Sequence, residues 1–440
     1  MESARPTEFF PYPKKLRILN NMFGLETCTI AIKSDSTRTT VQFKKSVPAT
    51  VYFILVTAVV AVAWMSFDYH VIYLQFNYDI NIIIAAMETN ATLFMCFVNL
   101  ATNPINSRRI ENILSSCLEV DHLLQNNPLY QKSFYEFPAF ITSLLICICC
   151  IFALDVWIYT PMEVMVSFQF TLLIYTMHLI NLIVTANCVN WIFQILKRLK
   201  ILNRKIRQLN TSQIAHAKQE SPNTSVANMA QNQQSCIIIL DGQLAQVSAT
   251  WLRDKEEQFH SKHNVVESDI FNLRTAFRKL RKIAVEVNDT FGVSILFLLM
   301  CTFVTVIVSI FFAINAKNVI NNSKFSGWHL CIHLMWSLLY SGQTIAVVWY
   351  STASSDEVRQ TKDIIQDILL EPQLGEGVVQ RLCRFMDQIS SEDLSFSAAG
   401  FFTLKEPLVC SIAVSIVSYL LVLLQMSPVH TAQLHHNSTK

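Results

Sequence analysis

Seven runs of about twenty or more predominantly apolar residues govern what this chain can become, at about 46–67, 81–100, 137–159, 165–196, 291–316, 327–353 and 408–426. A helix of about twenty residues crosses a hydrocarbon core about 30 Å thick. Inside lipid, every backbone amide needs a partner within the protein, which a helix supplies from its own turns. The runs therefore predict an all-α membrane protein with seven transmembrane helices. Composition agrees, since only 15% of the 440 residues are charged and 52% are hydrophobic, whereas a soluble domain is about a quarter charged. Glu88, Asn90 and Thr92 interrupt the second run, and they must face protein or water rather than lipid.

Lysine and arginine set the orientation. The segments before run one and after runs two, four and six carry 8, 3, 15 and 5 of them, and the alternate segments carry 0, 0, 2 and 1. Cytoplasmic segments hold the basic excess, so the N-terminus is expected in the cytoplasm and the C-terminus outside. The polar, Pro-containing start is not a cleavable signal peptide, and the first span is expected to do the targeting. A seven-span G-protein-coupled receptor has the opposite orientation, and DRY and NPxxY signatures are absent here.

The expected organisation follows: a cytoplasmic N-terminal segment over 1–45, transmembrane helices 1–4 over 46–196, a cytoplasmic loop with helical extensions over 197–290, and helices 5–6 over 291–353. Cytoplasmic helices over 354–407, a seventh helix over 408–426 and an extracellular tail over 427–440 complete it. Leu and Ile recur every three or four residues through KRLKILNRKIRQL after run four, so that helix is expected to leave the bilayer and continue. The Gln-, Asn- and Ser-rich stretch at 208–235 reads as a flexible insertion. Val266, Ile270, Leu273, Phe277, Leu280 and Val287 then make an apolar stripe on a basic helix. DEVRQTKDIIQDILL and GVVQRLCRFMDQI add two more amphipathic helices. Their apolar faces pack either within one subunit or as a collar between subunits, and their basic residues can also meet anionic inner-leaflet lipid.

Several classes fall away. A net charge of +2 without a basic aromatic tract gives no nucleic-acid partner, and most of the 12 cysteines, including Cys147, Cys149 and Cys150, lie in apolar runs, where a thiol acts as a small hydrophobe. No nucleophile and base pair, phosphate loop or metal constellation points to an enzyme, a cofactor or a metal. A transporter and, after it, a G-protein-coupled receptor remain the alternatives from another class, though for the transporter internal repeats and Gly-broken helices are missing in a chain with 8 glycines.

The last run carries a pattern. Ser411, Ser415, Ser418, Val422 and Gln425 follow spacings of four, three, four and three, which places them on one helical face. The other faces are Ile, Val and Leu. Three readings stand: a small-residue packing seam, the wall of a pore shared by symmetry-related copies, or hydroxyls bonded back to their own helix.

Residues 396–426, FSAAGFFTLKEPLVCSIAVSIVSYLLVLLQM, resemble the C-terminal signature of insect gustatory receptors. That signature is an FSA-G-F stretch followed by a last helix ending in Thr-Tyr, five apolar residues, Gln-Phe. Here Ser418 stands for the Thr and Met426 for the Phe. The resemblance implies a homotetrameric ligand-gated cation channel related in fold to insect odorant receptors, held together by a cytoplasmic anchor domain. It also implies that the last helix lines the pore, with Val422 as the constriction and Gln425 as a polar ring.

The same resemblance implies a tastant pocket toward the outer side of the membrane. The candidates there are Asp155, Trp157 and Tyr159 at the end of run three, Tyr175 and His178 in run four, Thr305 and Ser309 in run five, and Trp328, His329, His333 and Trp336 in run six. His329, His333 and Trp336 share a face. Aromatic faces with a few polar groups suit an amphiphilic small molecule, although Trp and Tyr at a membrane boundary are also interfacial anchors. A plant secondary compound is the expected ligand and a sugar such as fructose the alternative, at the plasma membrane of sensory neurons. The sequons at Asn321 and Asn437 fall on the expected outer side and those at Asn210, Asn223 and Asn288 on the inner.

Overall fold

The computed structural model describes residues 14–23, 25, 28–34, 39–65, 79–124, 143–144, 146–154, 165–234, 242–319, 323–371, 374–391 and 394–426. Helices account for most of them: α1 (Lys14–Met22), α2 (Val47–Met65), α3 (Asp79–Leu123), α4 (Met165–Gln234), α5 (Gly242–Val319), α6 (Ser323–Leu369), α7 (Glu376–Ser391) and α8 (Glu406–Met426). Helix also forms over 146–154. Among the described residues, four helical stretches are long and apolar enough to cross a membrane, Ile174–Leu209, Glu267–Ile314, Cys331–Leu369 and Glu406–Gln425, with a shorter apolar helix at Val47–Val62.

Two features depart from the reading of the sequence. The stretch at 208–235, expected to be flexible, is helical to Gln234 as the continuation of α4. Extending a helix that already exists avoids the cost of a new nucleus. The otherwise helical fold also holds two small antiparallel hairpins. The first pairs β1 (Cys28–Ser34) with β2 (Thr39–Lys45), in the register Cys28↔Lys45 to Ser34↔Thr39. Its alternating, β-branched sequences TIAIK and TVQFK are a strand signal that a search for long apolar runs passes over.

The core is helix against helix, with α4 at its centre. Nearly all of α4 from Tyr175 to Leu199 is buried, including Trp191 and Ile192. Polar ties fix its neighbours. The Asn187 and Asn20 amides bond each other reciprocally at 2.8 and 3.2 Å, joining α4 to α1. Asn99 donates to Asn181 at 2.9 Å, joining α3 to α4. Arg198, wholly buried, donates to both carboxylate oxygens of Asp121 on α3 at 2.9 and 2.8 Å and to the Gln194 carbonyl at 3.0 Å. Bidentate geometry of this kind lets a charge be buried at all. Asn203 donates to the Glu357 carbonyl and carboxylate at 2.9 Å each, and Thr361 donates to Asn203 at 2.6 Å, joining α4 to α6.

The amphipathic stripe on α5 is buried as its spacing predicts at Ile270, Leu273, Phe277, Leu280 and Val287, with Ile283 and Ala284 beside them. The Val266 side chain lies outside the described residues. Amphipathic α7 turns Val378, Leu382, Phe385 and Ile389 inward, and Phe385 meets Phe277 edge to face at 5.7 Å. Within one copy, then, the faces of α5 and α7 partner each other.

Candidate functional site

The last helix, α8, begins with Glu406 and Pro407 in its first turn, where an acidic side chain meets the helix dipole and a proline costs no hydrogen bond. Its 21 residues rise about 30 Å. One face rests on α5. Ile416 packs with Val306 and Ile307, while Leu420, Leu423 and Leu424 pack against Val308, Phe311 and Phe312. Tyr419 sits beside that seam with its ring edge-on to Phe303 at 5.4 Å and 89°, so it braces α8 against α5.

The rest of the helix surface is largely uncovered, including apolar Val414, Val417 and Leu421. Ser411, Ser418, Val422 and Gln425 are exposed and Ser415 half-buried. Ser411 donates to the Pro407 carbonyl at 2.9 Å, Ser415 to Ser411 at 2.9 Å and Ser418 to Val414 at 3.0 Å. The hydroxyl protons are thus satisfied within the helix, as one reading of the stripe anticipates, and the oxygens keep a lone pair for an outside donor. Within this copy the seam on α5 is made by the apolar residues, not by the serines.

Away from α8, the structure joins candidates that lie far apart in sequence. Tyr175 and His178 of α4 meet Trp336 of α6, with centroids 5.4 and 4.1 Å from the indole. Phe152, from the helical stretch after Ile146, packs edge to face on Tyr175 at 4.9 Å. His178 Nδ1 and the Tyr340 hydroxyl are 2.7 Å apart. All four of Tyr175, His178, Trp336 and Tyr340 are buried. Tyr340 was missed in the sequence, although it lies one helical turn beyond Trp336 and shares its face. The result is an aromatic cluster with one imidazole and one phenol, a composition suited to a small amphiphile.

His333 goes elsewhere. It stacks on Phe312 of α5 at 5.1 Å and 27°, so the expected face of α6 is divided between α4 and α5. Phe312 also belongs to the seam under α8. A continuous path of packed side chains therefore leads from α6 through α5 to α8. Thr305 and Ser309 are buried on α5, and Thr305 lies beside the Glu88 carboxyl of α3, a neighbouring-helix position of the kind expected for that charge. Asn90 donates to the Ala86 carbonyl of its own helix at 2.8 Å.

Asp155, Trp157, Tyr159, Asn321 and Asn437 lie outside the described residues. So do the side chains of Trp328 and His329, whose backbone is part of α6. Asn288, by contrast, uses both ends of its amide: it donates to the Ser395 carbonyl at 2.9 Å and accepts from the Ser397 amide at 3.1 Å. A separate cavity of about 300 Å³ opens between α3, α4 and α5 beside Lys205 and Asp269. Burial there lowers the pKa of the Lys205 ammonium, and Asp269 opposes the shift.

The family described as 7tm Chemosensory receptor matches residues 19–430. The solved structure of the insect olfactory receptor OR5 from Machilis hrabei superposes with a TM-score of 0.65 at 13% identity, covering 94% of this chain and 97% of that one. The same receptor in complex with eugenol gives a TM-score of 0.59 at 12% identity over the same shares. No curated protein matches.

Proposed function

Because the chain belongs to the 7tm chemosensory receptor family, we propose that it is a taste receptor acting as a tastant-gated, non-selective cation channel. It works at the plasma membrane of sensory neurons. Four copies surround one pore, each contributes α8, and seven spans place the N-terminus in the cytoplasm and the C-terminus outside. The cytoplasmic extensions of α4, α5 and α6, together with α7, form the anchor that holds the copies together. Asn321 and Asn437 are the glycan acceptors.

The observation that carries this reading is the division of α8. Ile416, Leu420, Leu423 and Leu424 make the seam on α5, while Ser411, Ser418, Val422 and Gln425 stay exposed and Ser415 half-buried within the copy, beside the exposed Val414, Val417 and Leu421. One helix cannot enclose water, but four can. A ring of Val422 side chains closes such a pore by excluding water without plugging it, and the Gln425 amides offer donors and acceptors to a hydrated ion.

The ligand enters the cluster of Tyr175, His178, Trp336 and Tyr340; Asp155, Trp157, Thr305, His329 and His333 are the further contacts that the sequence proposes for it. It acts by binding the open state better than the closed one. Trp336 and His333 stand three residues apart on α6, and the packing of His333 on Phe312 and of Phe312 with Leu420 supports a route from that cluster to α8. A plant secondary compound fits best, since aromatic faces outnumber polar groups there. The neighbouring receptor held with eugenol, a small phenol, supports the same ligand class. A sugar such as fructose would need more convergent polar groups.

Calcium imaging of transfected cells against a panel of bitter plant compounds, eugenol and fructose tests the ligand class. Entry of calcium with an aromatic plant compound and not with fructose is the expected outcome. A response to fructose alone would reverse the assignment.

A further inference from the structure

The sequence FSAAGFF folds into a second hairpin, β3 (Ser397–Ala398) with β4 (Phe402–Thr403), immediately before α8. Ala399 and Gly400 turn it with φ of 51° and 80°, and the Phe401 amide closes the turn on the Ala398 carbonyl at 3.0 Å. Two successive positive φ values make the tight turn that suits a twisted hairpin.

This hairpin is seated on one short stretch of α5. The Asn288 amide pairs with Ser395 and Ser397 as a neighbouring strand would. One turn on, Gly292 lets the hairpin backbone approach so closely that a Cβ there would lie 3.0 Å from the Ala399 nitrogen. Ser355 of α6 holds the Leu394 carbonyl at 3.0 Å. The same stretch of α5 is fixed from the other side by α3, whose Asn106 donates to the Thr290 carbonyl at 2.7 Å and whose Arg109 donates to the Asp289 carbonyl at 2.5 Å. Directional bonds thus converge on residues 288–292 from two sides.

The remainder of α8 meets α5 differently. Ile416, Leu420, Leu423 and Leu424 make only apolar contacts with it, and such contacts permit small displacements at little cost because they carry no preferred direction. One end of α8 is held by directional bonds and the rest by apolar packing, with the Tyr419 ring edge-on to Phe303.

We propose that the β3–β4 hairpin is the pivot of the pore helix, and that Asn288 and Gly292 are the positioning residues that hold it on α5. This rests on the channel reading of α8. Val422 lies sixteen residues from Glu406, about 24 Å along the helix, so a tilt of about 5° at the hairpin moves it about 2 Å. Opening then needs only a small rotation at the pinned end, delivered by whatever moves α5.

Single-channel recording of the purified full-length protein in planar bilayers, without ligand, tests the pivot. Asn288→Ala and Gly292→Ala each loosen the seat, and the ligand-free open probability is expected to rise at least about threefold while single-channel amplitude stays at the wild-type value. Asn288→Asp, which keeps the acceptor for Ser397, is expected to fall between wild type and Asn288→Ala. Should Asn288→Ala fail to assemble, Ser355→Ala removes one bond to the same segment and is expected to raise open probability by a smaller factor. Val422→Ala is recorded in parallel. If it passes current while the seat variants keep wild-type open probability, or change amplitude instead, the pivot is wrong and the channel stands. If Val422→Ala passes no current, the channel reading fails and the pivot with it.

Discussion

His178 and Tyr340 show what a single pair contributes at the candidate ligand cluster. Their 2.7 Å contact satisfies two polar groups that are otherwise surrounded by rings, and a buried polar group left without its partner costs about 1–3 kcal/mol. Tyr340→Phe keeps the ring and removes the hydroxyl. It is expected to lower the thermal stability of the purified protein measurably and to weaken the response to an aromatic agonist at least about threefold. Trp328, placed toward the start of α6, supplies the comparison, since a boundary anchor is expected to leave agonist response unchanged when replaced by Phe. The residues of this cluster were only partly legible in the sequence. Tyr175, His178 and Trp336 stood out as polar or amphipathic side chains in apolar runs. Spacing along α6 grouped His333 with Trp336, but a helix buried on two sides sends neighbouring positions to different partners, and His333 stacks on Phe312. Asn288 was read only as a sequon, because nothing local announces that its amide serves as a substitute strand for Ser395 and Ser397.

Among the elements, α4 is the one that organises the others. Its buried Asn181, Asn187, Arg198 and Asn203 tie it to three other helices, and Gln194 supports Arg198. The Arg198 and Asp121 pair lends itself to a quantitative test. Removing one partner strands a buried charge, so Asp121→Ala is expected to destabilise by about 3–5 kcal/mol, whereas Arg198→Met with Asp121→Leu is expected to restore most of the loss. Thermal unfolding followed by fluorescence-detected size exclusion checks both. Apolar runs and amphipathic stripes made α2, α3 and α5 to α8 legible, since periodicity survives in any context. The tail of α4 was not, because helix continuation depends on what precedes a polar segment as well as on its own composition. The β1–β2 hairpin escaped for a different reason: its strands are short and half polar, and they resemble neither a span nor a loop.

At the scale of the molecule, α5 carries the functional argument. It bears the seam under α8, the seat of the second hairpin and the ring that receives His333, so the candidate ligand cluster and the candidate pore helix are joined through one element. The stripe on α8, legible from spacing alone, lies away from the seam that Ile416, Leu420, Leu423 and Leu424 make with α5. Its shared use by four copies is the central claim, and current through the protein reconstituted alone, wild type against Val422→Ala, tests that claim most directly. A pore closed by Val422 predicts little current from the unliganded wild type and a ligand-independent cation leak from Val422→Ala at least about tenfold larger, since a smaller side chain lets the constriction hydrate. A Val422→Ala protein that assembles in the bilayer and stays as silent as the wild type would contradict it.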